Sequence, residues 1–236
     1  KDKHILIMTR WLLFFVYVMT PIFLFAQKKN KMHYRFTAGP EMKLDGILNE
    51  WKGHLYQEES ALWSFGLVVK DYKLFAAIIV KDTSLIEEAI RNGILLNISY
   101  SDKKKRGAQF IFPRLNMEKL EHFKATNHDD APFTKEDLIQ STKGYYVRGF
   151  DKVRDGLLSF DNAYGIHAVC TINKDGAMLY EAEIPLHLIT FLTNDIAVQL
   201  AINSSATPPA NRTVGKGYAT TIARAGSNNP SSRIKG

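Results

Sequence analysis

Short extended stretches recur along this sequence at intervals too close for long helices, and this feature most constrains its fold. Within each stretch, apolar and polar residues alternate or β-branched and aromatic residues run together, as is typical of strands. Strands are predicted at 32–37, 62–69, 74–81, 94–100, 109–112, 145–150, 164–172, 177–184 and 196–203. Many strands separated by turn residues predict an all-β fold in which two antiparallel sheets stack as a β-sandwich.

Local signals add turns and a few short helices between these strands. Residues 173–176 are Asn-Lys-Asp-Gly, and the Asp-Gly pair supplies the positive φ that a tight hairpin requires. A second reversal is predicted at 70–73, a polar irregular insertion at 116–142, and a candidate final strand at 218–223. Helices are predicted at 83–91 behind a Thr83 or Ser84 cap, at 134–140 behind a capping box of Thr134 and Asp137, and at 185–192 with Pro185 in the first turn.

The N-terminus has the three parts of a secretory signal peptide. Lys1, Lys3 and Arg10 form a positive region, and an apolar run follows from residue 11 to 26. That run is shorter than the roughly 20 residues that a membrane span needs, and Pro21 interrupts it near its end. We expect cleavage after residue 26, with an uncleaved anchor as the alternative. The protein is then secreted, periplasmic or on the cell surface, without a stable transmembrane span.

The rest of the sequence is expected to form one domain. We place a β-sandwich domain at 27–224 and a flexible C-terminal end at 225–236, where Ser, Asn and Gly predominate. The single cysteine, Cys170, excludes an intramolecular disulfide, so packing alone must hold the domain together. Cys170 itself is interpreted as a small buried apolar residue of a strand.

The formal net charge of +7 is moderate, and residues 1–26 contribute a net charge of +2 to it. The densest basic run, at 103–106, lies between two predicted strands and has the setting of a solvated hairpin tip. We therefore expect no nucleic-acid partner. An acidic polysaccharide or an anionic surface is the alternative reason for such basicity.

Three motifs follow one another along the chain: Leu-Asp-Gly-Ile-Leu-Asn-Glu-Trp at 44–51, an aromatic strand ending in Asp at 72–82, and Tyr-Glu-Ala-Glu-Ile-Pro-Leu at 180–186. In this order and spacing they resemble family 9 carbohydrate-binding modules and their DOMON-like relatives. With the strand at 196–203, the resemblance covers 44–203. Its motif residues are Asp45, Gly46, Trp51, Asp82, Glu183 and Pro185.

The resemblance implies a jelly-roll-type β-sandwich that binds a glycan or polysaccharide without catalysis, often beside a degradative enzyme in a bacterium. Asp45 is expected to close an Asx turn, Gly46 to adopt a left-handed conformation, and Trp51 to plug one end of the sandwich. The sequence departs from the family at 92–96, where relatives carry acidic or aromatic residues. No tryptophan follows Trp63, so two tryptophans from both halves of the chain cannot clamp a sugar.

Sugar binding requires flat aromatic faces with polar groups beside them. The candidates are Trp63, Tyr100, Tyr145 and Tyr146. Because adjacent strand residues point to opposite faces, only one of Tyr145 and Tyr146 can face a given surface. For Trp63, which alternates with Phe65 and Leu67, core packing is the alternative.

Metal binding has two candidate ligands, Asp45 and Asp82, for a structural calcium ion, and a turn-closing role is the default for both. No other cofactor is expected. A group of acidic residues and histidines in the insertion has a spacing that matches no metal site, so a solvated loop is the simpler interpretation. Its members are His122, His128, Asp129 and Asp130.

We expect no enzymatic activity of the chain itself, although it could accompany a glycoside hydrolase. The motifs of a nucleophile elbow, a phosphate-binding loop and a zinc-protease helix are absent. Glu181 and Glu183 share a strand face, as glycosidic acid pairs can, but a solvent-facing sheet surface would raise neither pKa. Near Cys170 only His167 is reactive, and it faces the other way.

Two other functions stay open from the sequence. A structural or partner-binding exported domain would need no small ligand. A DOMON-like haem-binding electron-transfer domain would use His167 and Met178, on neighbouring strands of one hairpin, as axial ligands.

Overall fold

A computed structural model of the chain describes residues 31–32, 41–57, 62–99, 107–127, 132–190, 195–202 and 220–226. The predicted signal at 1–26 and residues 227–236 lie outside these ranges. None of the helices in the described ranges combines the length and apolar character needed to span a bilayer.

The strands are β1 (Lys31–Met32), β2 (Tyr56–Gln57), β3 (Trp63–Lys70), β4 (Lys73–Val80), β5 (Ile94–Ser99), β6 (Ala108–Phe112), β7 (Tyr145–Arg148), β8 (Gly156–Leu158), β9 (His167–Ile172), β10 (Met178–Pro185), β11 (Asp195–Ile202) and β12 (Thr220–Gly226).

These strands form two sheets. One has seven strands in the order β1-β12-β11-β5-β6-β7-β8, and the other has five in the order β2-β3-β4-β10-β9. Every pair is antiparallel except the edge pair of β1 and β12. The chain passes between the sheets after β1, β4, β8 and β10, and the side chains between the two sheets form one core. The predicted all-β antiparallel sandwich with a few short helices is therefore confirmed.

The main core lies between the sheets and takes alternate residues from the strands. In β3 the inward residues Trp63, Phe65 and Leu67 are completely buried. Each large apolar side chain buried in this way contributes about 1.5–3 kcal/mol to folding. The same sheet adds Ile78 and Tyr180, and the facing sheet supplies Leu96, Phe110, Val198 and Leu200. Cys170 is free and buried among them, as predicted, so packing holds the sheets together.

In the described ranges three α-helices accompany the sheets: α1 (Thr83–Asn92), α2 (Met117–Asn127) and α3 (Lys135–Gln140). Asp82 caps α1, because its carboxylate accepts a hydrogen bond of 2.9 Å from the Leu85 amide, a role predicted for Thr83 or Ser84. The capping box of Thr134 and Asp137 at the start of α3 is present as predicted. Apolar residues of α1 and α3, namely Leu85, Ile86, Ala89, Ile90 and Ile139, pack into the main core.

The structure differs from the predicted elements in three places. Helix α2 occupies part of the insertion that was predicted to be irregular, and the Asn116 side chain accepts a hydrogen bond of 2.7 Å from the Lys119 amide at its start. The short strands β2 and β8 were missed. Pro185 ends β10 and precedes a single 3-10 turn at Leu186–Leu188, so the predicted helix at 185–192 was too long.

Residues 41–55 lie across the outer face of the five-stranded sheet, and one carboxylate fixes them there. Trp51 packs on Val68, Phe75 and Ala77, outside the main core. The carboxylate of Glu181 accepts hydrogen bonds from the Trp51 indole N–H at 3.1 Å and from the Gly46 amide at 2.8 Å. Trp51 therefore covers a sheet face, and the prediction that it plugs an end of the sandwich was wrong.

The turn at Asp45-Gly46 makes this contact possible. The Asp45 carboxylate accepts a hydrogen bond of 2.8 Å from the Ile47 amide, which is the predicted Asx turn. Gly46 has a φ of 76°, and a Cβ there would lie 2.7 Å from the Thr171 side chain. Only glycine combines the left-handed conformation with so close an approach to the sheet.

Burial raises the pKa of Glu181, against the lowering effect of its two N–H donors, and the nearby acidic groups Glu50 and Asp45 raise it further. Glu181 is 2% exposed, so the expectation of a solvent-facing carboxylate was wrong. Glu183, on the same strand face, forms a 2.5 Å ion pair with Lys73 instead. The two glutamates therefore have separate structural roles.

We expect Glu181→Gln to change how stability depends on pH. Folded Glu181 binds its proton more tightly than the unfolded chain does. Its contribution to the free energy of unfolding is therefore fully present below about pH 4.5 and is lost as the pH rises through the raised pKa. Glutamine does not titrate, so the variant should lack this part of the slope in urea unfolding measured from pH 4 to 8. Parallel profiles for both proteins would contradict the assignment.

Candidate functional site

The predicted sugar-binding aromatics lie in different environments. Trp63 is completely buried beside Phe65, with ring centroids 6.0 Å apart, so the core alternative holds and its ring has no exposed face. Tyr100 lies outside the described residues. Tyr145 faces the main core and Tyr146 the outer face of the seven-stranded sheet, in agreement with strand alternation. Trp63 and Tyr145 therefore cannot contact a sugar in this conformation, and Tyr146 can.

Tyr145 has a structural role at the edge of the five-stranded sheet. Its hydroxyl accepts a hydrogen bond of 3.0 Å from the Ala168 amide and donates one of 3.2 Å to the Ala168 carbonyl. Ala168 belongs to β9, the last strand of that sheet, so the hydroxyl occupies the position of a neighbouring strand's backbone. Burial raises the pKa of Tyr145, against the effect of its bond with Ala168, and keeps the phenol protonated as this role requires.

Tyr146 belongs to a row of side chains that crosses the outer face of the seven-stranded sheet. Pairing register places one residue from each of five neighbouring strands in line, and we call this set the apolar row. Arg114 lies over the Tyr146 ring, with its guanidinium carbon 5.3 Å from the ring centroid. The apolar row is Ala201, Leu95, Ile111, Tyr146 and Leu157.

A second row, two residues further along the strands, is polar. Its members alternate with core residues such as Ile98, Phe110 and Val198, so they point to the same outer face as Tyr146. All four are partly exposed. The polar row consists of Gln199, Asn97, Gln109 and Arg148, from β11, β5, β6 and β7.

A hydrogen bond links two members of the polar row, and an ion pair lies at its other end. The Asn97 amide donates to the Gln199 carbonyl oxygen at 3.4 Å and accepts from the Gly107 amide at 3.1 Å. At the other end, the Arg148 Nε lies 3.9 Å from an oxygen of Asp155, whose second oxygen accepts from the Gly149 amide at 2.8 Å. These contacts limit the rotamers of Asn97 and Arg148, so part of the row is ordered before any ligand binds.

The two rows together combine the groups that recognise a polyhydroxylated ligand. Each amide of the polar row both donates and accepts hydrogen bonds, which matches the two capacities of a sugar hydroxyl. Tyr146, with the Arg114 guanidinium over its ring, adds an aromatic and a cationic group beside them. We take this part of the outer face as the candidate functional site.

The candidate calcium ligands are in separate places with other roles. Asp45 closes the turn before Gly46, and Asp82 caps α1, so the default role predicted for each is the one observed. Across the described ranges, no three histidine, cysteine, aspartate or glutamate side chains gather closely enough to hold a metal ion. His122 lies on α2, while residues 128–130 lie outside the described ranges.

The pair proposed as haem ligands does not converge. His167 is exposed on the outer face of β9, opposite Glu183, whereas Met178 is completely buried in the main core. Cys170 is buried as well, and burial raises its pKa, which suppresses the thiolate. Neither arrangement supplies a redox or nucleophilic site.

A small cleft between α2 and α3 has a volume of 120 Å³, below the size of an ordinary ligand pocket. Lys119 and Asp137 at its wall are engaged in local structure, since the Lys119 ammonium donates to the Gln140 carbonyl at 2.6 Å and Asp137 completes the capping box. The cleft therefore adds nothing to the candidate site.

No protein-family model matches this sequence, and comparison with curated proteins and with solved structures gives no match either. The resemblance to family 9 carbohydrate-binding modules therefore stays a prediction from the motifs. A function for this chain is therefore inferred from the geometry of its own side chains.

Sequence reasoning missed the polar row, although each of its three amides is visible as a polar residue between two apolar ones. Asn97 interrupts the apolar run of β5, and Gln109 and Gln199 do the same in β6 and β11. Such interruptions could have marked the outer face. Their alignment could not be foreseen, because it depends on strand order and register.

Removing the hydroxyl should change stability by different amounts at the two adjacent tyrosines, Tyr145 and Tyr146. Tyr145→Phe leaves the Ala168 amide and carbonyl without their partner in a buried setting, so we expect the free energy of unfolding to fall by about 1–3 kcal/mol. Tyr146→Phe is the matched control on the outer face and should change it by about 0.5 kcal/mol or less. Urea denaturation monitored by circular dichroism measures both free energies. Equal losses of stability in the two variants would refute the role of the Tyr145 hydroxyl at the edge strand β9.

Proposed function

We propose that this protein is an exported, non-catalytic glycan-binding domain whose binding surface is the outer face of the seven-stranded sheet. The observation that carries the proposal is the polar row lying directly beside the ring of Tyr146. Three neutral amide side chains and one guanidinium project from four neighbouring strands towards the same side. The motif resemblance and the predicted signal peptide point to the same class of protein.

The partial exposure of the two rows favours a polar ligand over a protein partner. Leu95, Ile111 and Ala201 of the apolar row are at most 8% exposed, while the members of the polar row are more accessible. A protein partner would gain most from exposed apolar anchors, which in the described part of the apolar row means Leu157 alone. Hydroxyl groups gain most from the amides and from Tyr146.

The geometry gives less support to the other functions considered. Electron transfer through haem would need two converging axial ligands, and His167 and Met178 lie on opposite faces of the same sheet. Glycoside hydrolysis would need two accessible carboxyl groups facing one substrate. Glu181 is held under Trp51, and Glu183 is paired with Lys73.

Affinity electrophoresis of the purified protein through gels containing neutral or acidic polysaccharides tests the proposal. We expect retention on at least one polysaccharide, and Gln109→Ala and Tyr146→Ala should each weaken it by about tenfold through a lost hydrogen bond or a lost ring contact. The dissociation constant follows from mobility at several polysaccharide concentrations.

Matched controls come from the other sheet. Gln57→Ala removes an exposed glutamine of β2, and Tyr72→Ala removes a tyrosine that is 78% exposed at the turn between β3 and β4. Neither should alter retention, provided that circular dichroism shows native folds. Absence of retention on every polysaccharide, or equal losses in variants and controls, would overturn the proposal.

A further inference from the structure

The polar row runs across the strands rather than along them, and this direction restricts the shape of a ligand. Its four members come from neighbouring strands, so each is displaced from the next by one strand spacing of about 4.8 Å. The row as a whole therefore spans three spacings, about 14 Å. A compact monosaccharide would contact one or two of the four side chains.

The spacing matches an extended glycan. In an extended β-linked chain each sugar advances by a distance close to one strand spacing, so successive sugars meet successive members of the row. Gln199, Asn97 and Gln109 then face three units, and Arg148 faces a fourth. Tyr146, two residues before Arg148 on the same face of β7, lies beside the unit at that end together with Arg114, whose guanidinium lies over its ring.

The charges favour a neutral chain. Three of the four positions are uncharged amides, and the cationic groups Arg114 and Arg148 both lie at the β7 end. There Asp155 approaches the Arg148 Nε to 3.9 Å and offsets part of its charge. A glycan with a carboxylate or sulfate on every unit would meet no counter-charge at Gln199, Asn97 or Gln109.

We infer that the ligand is a neutral, extended polysaccharide that lies across β11, β5, β6 and β7 and contacts the polar row with four consecutive sugar units. This inference rests on the proposed function and adds the direction, the minimum length and the charge class of the chain.

A length series of oligosaccharides tests the inference. Isothermal titration of the purified protein with neutral β-linked oligosaccharides of one to six units, derived from the polysaccharide that retains it, should show affinity rising by about twofold to tenfold per unit. The rise should end at the tetrasaccharide. If a disaccharide binds as tightly as a hexasaccharide, the inference is wrong while the proposed function stands; loss of all retention removes both.

Variants at the ends of the row sharpen the result. Gln199→Ala should lower the affinity for the tetrasaccharide to that for the trisaccharide and leave the trisaccharide unaffected, and Arg148→Ala at the opposite end should do the same. Gln57→Ala is the control. If Gln199→Ala fails to fold, Arg148→Ala serves as the test on its own. If affinity depends on oligosaccharide length in the folded variant as it does in the original protein, the inference is refuted. Tighter, salt-sensitive binding of an acidic oligosaccharide series would refute the neutral ligand.

Discussion

The alternation of side chains along each strand connects the core of this protein to its candidate binding surface. When Ile98, Phe110 and Val198 are committed to the main core, their neighbours Asn97, Gln109 and Gln199 must point to the outer face. Hydrophobic burial thus fixes the orientation of the polar row without any interaction between the row and a ligand. With no disulfide available, this packing also holds the two sheets together.

The outer face of the five-stranded sheet is covered by a segment of the chain. On the five-stranded sheet, apolar residues such as Val68 and Phe75 are covered by Trp51, and the buried carboxylate of Glu181 holds the covering segment through two N–H groups. A desolvated carboxylate is costly unless it is hydrogen-bonded, which explains why Gly46 and Trp51 both turn towards it. Residues 41–55 of the chain thus cover that face.

Much of the fold was predictable because the alternation of apolar and polar residues along a strand can be recognised in a single sequence. The strands from β3 to β7 and from β9 to β11 follow the predicted stretches closely, as does the Asp-Gly hairpin at Gly176, with its φ of 76°. Helix α2 was not predicted because polar residues dominate its sequence; among those of its side chains that the structure describes, Leu120 alone is buried. β2 and β8 have two and three residues, too few to show a period.

The candidate site was predictable only in part, for a physical reason. Parity along one strand assigns Tyr145 and Tyr146 to opposite faces, but it cannot say which face is the core; that depends on the partners of β7. Trp63 illustrates the same ambiguity, since an aromatic residue suits a sugar and a core equally well. The polar row is a property of four strands in register, 97 with 199 and 109, and 109 with 148. Because hydrogen bonding between strands sets that register, the polar row exists only after the sheet has formed, so it is encoded in long-range pairing rather than in a local motif.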